Sequence, residues 1–178
     1  MNSPVVTKAV SSLELRRLQM SDEAVMRAAH AEFAPESFPF LFSPDLPWGE
    51  QLDEMDREAC GDVAPVRVRS DYLVAEIGGA VIGRVSIRHT LTPTLLQIGG
   101  HVGYGVRPTY RGRGYATTML RLSIERLTGR GVADILVTCD EDNMASRRTI
   151  ERCGGVLEDV RHLAEEAPGT RRYWIDAD

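Results

Sequence analysis

The sequence is short of the features that mark several whole classes of protein. It has three cysteines, Cys60, Cys139 and Cys153, an odd number with no paired spacing. That excludes a disulfide framework and a cysteine-based zinc site, and it reads as reduced thiols. No run is long and apolar enough to cross a bilayer as a helix, and residues 1–10 lack a signal-peptide core, so we expect a cytoplasmic protein with no membrane partner. An excess of basic charge is missing too: 21 Lys and Arg face 26 Asp and Glu, for a formal net charge of -5. A nucleic-acid partner bound by neutralising its phosphates is therefore not expected. There is no internal repeat and no low-complexity segment. Two common phosphate-loop signatures are also absent, since a Walker loop needs Gly-Lys-Ser/Thr and a dinucleotide fingerprint needs G-x-G-x-x-G. Gly112-Arg113-Gly114 runs instead into Tyr115, Ala116 and Thr117, which argues against a nucleotide phosphotransferase.

At 178 residues and 43% hydrophobic content, the chain suits one domain able to bury roughly two thirds of its unfolded surface without disulfides or metals. We take residues 1–10 as a flexible leader and 11–178 as that domain. Residues 99–118 organise it. A glycine-interrupted strand over 99–106 runs into a loop carrying Arg107, Pro108, Tyr110, Arg111, Gly112, Arg113 and Gly114, and a helix starts where the glycines stop. Glycine lets the main chain approach a ligand closely, and the first turn of a helix leaves N–H groups without internal acceptors at the positive end of its dipole. Such a junction suits a phosphate or diphosphate. The three loop arginines add positive potential to a chain that is otherwise acidic.

Around this stretch, strands and helices alternate. Leu13, Leu15 and Leu18 predict a strand within 12–20, and Ser21 a cap for a helix with Ala24, Val25, Ala28 and Ala29 on its inner side. Four prolines in 35–47 interrupt the chain while Phe33, Phe38, Phe40, Phe42 and Trp48 supply apolar bulk. That loop is either a lid on the substrate side or is fastened over the core. The acidic run over 50–62 reads as the solvated face of a helix, and beside an acceptor cleft it would favour a cationic amine. A hairpin is predicted over 72–77 and 80–89 about Gly78-Gly79, with Val81, Val85 and Ile87 on one face and Arg84, Ser86 and Arg88 on the other. Residues 90–97, with Pro93, read as loop. In the next strand, alternation sets Val102, Tyr104 and Val106 against His101, Gly103 and Gly105. A helix over 114–127 and a strand over 133–139 complete a right-handed crossover between parallel strands. A helix capped by Asp142 or Asn143 then runs to Cys153 with Ser146, Ile150 and Cys153 inward, and two strands follow over about 156–163 and 170–176.

Arg111, Gly114 and Ala116 match the acetyl-CoA signature Q/R-x-x-G-x-G/A, Val106-Arg107-Pro108 ends the strand before it, and Asn143-x-x-Ser146 opens a helix closing on Gly154-Gly155. In these features the sequence resembles the GNAT superfamily of acyl-CoA-dependent N-acetyltransferases. The resemblance implies an α/β (α+β) fold: a mixed, mostly antiparallel sheet of six to seven strands with a splayed parallel central pair and helices on both faces. It implies acetyl-CoA as co-substrate, an amine as acceptor, no metal, and pairing as a homodimer, as in many members. Tyr104, Gly105 and Val106 would line the splayed strand. Arg111, Gly112, Arg113, Gly114, Tyr115, Ala116 and Thr117 would hold the diphosphate, and Asn143 and Ser146 the pantetheine arm.

Direct acetyl transfer makes three demands. The amine, protonated at neutral pH, must lose a proton; the thioester carbonyl needs a fixed donor as charge gathers on it; the departing thiolate gains from an acid. His101 has a suitable intrinsic pKa and a place on the glycine-lined face, which makes it the candidate base. The main-chain N–H of Val106 or its neighbour is the candidate donor. Many GNAT enzymes carry a tyrosine seven residues beyond the Asn, a position held here by Ile150. Tyr104 and Tyr173 are then the strand tyrosines left to serve as acid, unless coenzyme A leaves as the thiolate. The missing tyrosine also keeps open a second class, an acetyl-CoA-binding sensor or interaction domain without turnover. Cys139 has no recognisable His partner and reads as a packing residue. The acceptor, whether small molecule or peptide, is not legible in the sequence.

Overall fold

A computed structural model of the chain describes residues 12–36, 38–64, 67–162 and 168–177; the leader expected over 1–10 lies outside the described residues. In chain order the described elements are β1 (Glu14–Arg17), α1 (Glu23–Glu32), α2 (Trp48–Cys60), β2 (Ser70–Ile77), β3 (Ala80–Arg88), α3 (Pro93–Gln97), β4 (Val102–Val106), α4 (Tyr115–Thr128), β5 (Asp134–Asp140), α5 (Met144–Arg152), β6 (Val156–Arg161) and β7 (Thr170–Asp176). The strands form two antiparallel blocks, β1-β2-β3-β4 and β5-β7-β6. Between the blocks, β4 and β5 share no ladder. They are bonded at the root of β4, where His101 N–H donates to Leu136 O at 2.7 Å and Leu136 N–H donates to His101 Nδ1 at 2.9 Å. Just before it, Gly99 N–H donates to Thr138 Oγ1 at 3.0 Å. Strand β5 follows β4 through the α4 crossover, the connection that parallel neighbours require, and beyond this hinge the two share no ladder. The architecture is the mostly antiparallel, seven-stranded α/β arrangement that the sequence leads one to expect.

Each face of the first block carries its own core. Leu73, Val85, Ile87, Val102 and Val106 pack against Met119, Leu120 and Leu127 of α4 and Ile150 of α5. On the opposite face, Tyr72, Val74 and Val81 pack against Met26 and Ala29 of α1 and Trp48 and Met55 of α2. Full burial of each large apolar side chain stabilises the fold by roughly 1.5–3 kcal/mol. The proline-rich loop joins the second core and is fastened there. Phe40 and Leu41 are buried, the Phe33 ring lies 5.1 Å from Phe38 and 4.8 Å from Phe40, and the Tyr72 hydroxyl donates to Phe40 O.

Three local expectations are corrected. Helix α1 buries Met26 and Ala29 while Ala24 and Ala28 stay exposed, because the side chain with most apolar area to hide sets which way a helix turns. Strand β3 does not alternate regularly. Ala75 pairs with Gly83 and Glu76 with Val81, so Ile82 is an extra residue, and Val81 falls into the α1–α2 core while Val85 and Ile87 face α4; a bulge shifts the phase by one. Residues 90–97 are not simply loop, since Thr92 Oγ1 accepts from Leu95 N–H at 3.2 Å and Pro93 opens α3. Proline's fixed φ and missing N–H suit the first helical position. Helix α4 buries Met119, Leu120, Ser123 and Leu127, and the face assignment for β4 holds, with Val102, Tyr104 and Val106 sharing the α4-side core.

Candidate active site

The loop before α4 turns on two left-handed glycines, Gly112 at φ 75 and Gly114 at φ 81. A Cβ at either would meet nothing within 4 Å. Glycine is therefore favoured by the backbone, whose left-handed conformation costs other residues roughly 1–2 kcal/mol, and not by crowding. Arg111 N–H is taken by Pro108 O at 3.2 Å, and Thr118 N–H makes the first helical bond, to Gly114 O, at 3.2 Å. Between them, the N–H groups of Gly112, Arg113, Gly114, Tyr115, Ala116 and Thr117 have no protein acceptor among the described residues. Consecutive unpaired amides at the positive end of a helix dipole form a nest for an anion.

The loop arginines do less for that nest than their number promises. Arg107 clasps Glu32 at the end of α1, with Nη2–Oε1 at 2.5 Å and Nε–Oε2 at 3.0 Å, and holds the Glu32 carboxyl below its usual pKa range. Arg111 grips Glu36 at 2.7 and 3.1 Å and donates through Nε to Val106 O at 2.8 Å. Arg107 braces the loop against the end of α1 and Arg111 against the start of the proline-rich segment, instead of pointing their charge at an anion. Arg113 alone of the three has no carboxylate partner among the described residues.

Across from the loop, the parted strands present main chain and a hydroxyl pair. Arg88 N–H donates to His101 O and Arg107 N–H to Ile82 O. That alternation turns the amides of Gly103 and Gly105 toward β3 and those of Tyr104 and Val106 toward the open side. At the start of α5, Asn143 Oδ1 caps the helix by accepting from Ser146 N–H at 3.0 Å. The Ser146 hydroxyl lies 2.8 Å from the Tyr104 hydroxyl. Burial pushes the Tyr104 phenol up to about 12, with Ser146 pulling the other way, so it holds its proton throughout the neutral range.

The remaining candidates fall elsewhere. Tyr173 is buried between β5 and β6, its hydroxyl 3.5 Å from Glu151 Oε1, and it is not hydrogen-bonded to the Tyr104–Ser146 pair. Ile150 is fully buried in the core where the family's tyrosine would stand. Burial raises the Cys139 thiol to about 11, so little thiolate exists at neutral pH and the packing role stands. His101 is buried, and burial lowers its pKa. Its Nδ1 accepts from Leu136 N–H, so the nitrogen expected to take a proton serves to hold the two sheet blocks together.

On the glycine face of β4, a Cβ at Gly105 would come within 2.6 Å of the Phe38 ring, so the fastened loop lies directly on that strand. Beside it opens a cleft of about 420 Å³ whose walls include Phe42, Tyr72, Arg84, Ser86, Arg88 and Leu95. Of the acidic run over 50–62, only Glu58 lines this cleft, and its carboxylate is bonded to Arg67 at 2.7 Å and Ser70 at 2.5 Å. No local signal in the sequence announced this cleft, because its walls come from segments far apart in the chain.

Residues 12–156 match the family described as acetyltransferase (GNAT) domain. Among solved structures, the chain is similar to RimJ of Mycobacterium smegmatis in complex with a CoA disulfide, at 19% identity and TM-score 0.72, covering 93% of this chain and 82% of that one. It is similar to RimL, a ribosomal L7/L12 α-N-protein acetyltransferase in complex with coenzyme A, at 18% identity and TM-score 0.69, covering 98% of each. A third, yncA of Salmonella typhimurium, described as a putative acetyltransferase with its cofactor acetyl-CoA, matches at 15% identity and TM-score 0.65 over 93% of this chain and 94% of that one. At these identities the likeness is one of fold.

Proposed function

The chain belongs to the GNAT acetyltransferase family, and from that premise we propose that it moves the acetyl group of acetyl-CoA directly to a primary amine of a small molecule or peptide. The observation that carries this reading is the run of unpaired amides from Gly112 to Thr117 at the mouth of the parted β4–β5 pair. A diphosphate fits that nest by charge and by its many acceptor oxygens, and Arg113 adds the one loop cation not engaged by a carboxylate. Asn143, with its amide nitrogen still available, and Ser146 are the side chains placed to meet a pantetheine arm. Acetyl-CoA supplies the activated acetyl group as a thioester.

The chain's own residues then have separable tasks. The open-side N–H of Val106 or Tyr104 is the fixed donor for charge gathering on the carbonyl oxygen. The Tyr104 hydroxyl, hydrogen-bonded to Ser146 Oγ, holds a proton through neutral pH and takes the acid role that Ile150 cannot fill. With His101 Nδ1 engaged by the hinge, the amine's proton goes to water in the cleft. No described helix is long and apolar enough to cross a membrane, and the free cysteines suit the reducing cytoplasm in which we place the enzyme.

Isothermal titration with acetyl-CoA, followed by thiol-release assays over an amine panel, tests the reading. Saturable binding and steady thiol release are expected, and absence of binding at millimolar acetyl-CoA overturns it. Binding without release from any amine would favour the alternative, a cofactor-binding sensor, for which the buried Ile150 is the supporting observation.

A further inference from the structure

The cleft on the glycine face holds two guanidinium groups, Arg84 and Arg88, that form no ion pair among the described residues. Arg84 stands on β3 opposite Gly105 and is 5% exposed. Its Nη2 donates to Pro39 O, its buried Nε has no partner, and its plane sits 4.3 Å from the Phe38 ring centre and 5.1 Å from that of Tyr72. Arg88, on the same face of β3, donates through Nη1 to the carbonyls of Gly99 and Gly100 at 3.2 and 3.1 Å. Neither has a carboxylate within salt-bridge distance among the described residues, and Glu58, the acid lining the cleft, is already bonded to Arg67 and Ser70. Carbonyl oxygens offer only partial charge. A buried cation left without an anion costs several kcal/mol; for Arg88, burial first and then the nearness of Arg84 work against the charge, offset only in part by the more distant Glu58 carboxylate. An arrangement so costly makes physical sense if an anion arrives from outside.

We propose that this cleft is the acceptor subsite and that it selects an amine whose molecule also carries an oxyanion, a carboxylate or a phosphate, paired with Arg84 and Arg88. At about 420 Å³ it has the size of a small-molecule site, and Phe42 and Leu95 give the acceptor's apolar part a wall to lie on. The guanidinium fork matches the two oxygens of either anion. This assignment reverses the expectation of a cationic acceptor drawn from the acidic run over 50–62. Naming the cleft an acceptor subsite rests on the acetyltransferase reading; the oxyanion preference of the cleft does not.

The test compares matched amines with the full chain: L-phenylalanine against its carboxamide, O-phosphoethanolamine against ethanolamine, and spermidine as the polycation. Both acetyl transfer and equilibrium binding in the presence of coenzyme A are measured. The oxyanion member of at least one pair is expected to lead its neutral twin in kcat/KM and in affinity by about tenfold or more, the worth of a charge-assisted hydrogen bond, and which pair responds separates carboxylate from phosphate. Arg88→Gln and Arg84→Met are each expected to erase that ratio while acetyl-CoA still binds, which certifies the fold; Arg88→Gln carries the test should the Arg84 variant not fold. Equal handling of the twins, a preference for spermidine, or a ratio untouched in Arg88→Gln overturns the inference. If no amine is acetylated yet the oxyanions bind in preference to their twins, the oxyanion site stands and the transferase reading falls.

Discussion

The loop ahead of α4 and the cleft beside β3 both present positive charge, but they build it from opposite materials. The loop uses main chain: contiguous N–H groups, exposed, held in place by Gly112 and Gly114 in the left-handed region. The cleft uses side chains: Arg84 and Arg88 on one strand, with Arg84 buried under the ring of Phe38, from a loop more than forty residues earlier, and beside that of Tyr72 on β2. Backbone amides cannot be neutralised by a neighbour and carry no fixed charge to desolvate, so the loop can stay open to water at little cost. Guanidinium groups carry a full charge whose burial is expensive, so the cleft is the region under tension. The first arrangement suits a ligand part shared by a whole enzyme class; the second suits a part that distinguishes one acceptor from another.

The contrast breaks first, and most strongly, at Gly114. Gly114→Asp adds a left-handed strain of roughly 1–2 kcal/mol and a carboxylate where the nest needs an anion, so acetyl-CoA affinity should fall about 100-fold or more by titration calorimetry. A change smaller than about threefold would mean that the nest does not hold the diphosphate. Gly105→Ala probes the other region. Its Cβ would press within 2.6 Å of Phe38, and we expect a loss of about 1–3 kcal/mol in urea denaturation from overpacking, with acetyl-CoA affinity preserved. If affinity falls as much as stability, the two regions are not separate.

The smallest expected effect lies at the hinge joining the sheet blocks. Burial depresses the His101 pKa, so as pH falls the unfolded chain binds the proton first. The hinge's contribution is therefore whole above the unfolded value of about 6.5 and is lost as pH falls through the lower folded value. Denaturation midpoints should drop between about pH 7 and pH 5. In His101→Gln that drop should shrink, on top of a pH-independent loss of about 1–3 kcal/mol from the orphaned Leu136 N–H. An unchanged pH dependence in the variant would remove His101 as the sensitive group.

The same contrast accounts for what could be read in the sequence. The nest lies within six neighbouring residues, so glycine spacing and the start of a helical pattern were enough to locate it, and regular alternation placed Tyr104 opposite Gly105 on β4. Side-chain destinations were not legible. Arg107 and Arg111 stood beside the glycines in sequence yet turned to Glu32 and Glu36, whereas Arg84 and Arg88, read only as the polar face of a hairpin, turned into a cleft where the proline-rich loop buries Arg84 and the carbonyls of Gly99 and Gly100 hold Arg88. Tyr104 meeting Ser146 likewise depends on α5 packing across a crossover, a contact between residues 42 apart. Spacing could not show either that the neutral imidazole of His101 would be drawn into joining two sheets.

The account turns on whether the amides ahead of α4 grip coenzyme A, and amide-resolved NMR addresses that directly. Titrating coenzyme A into the labelled protein should move the resonances of Gly112, Arg113, Gly114, Tyr115, Ala116 and Thr117 saturably and together, leaving those of Leu41 and Phe42 nearly still. Saturable binding that leaves these six resonances unmoved would contradict it.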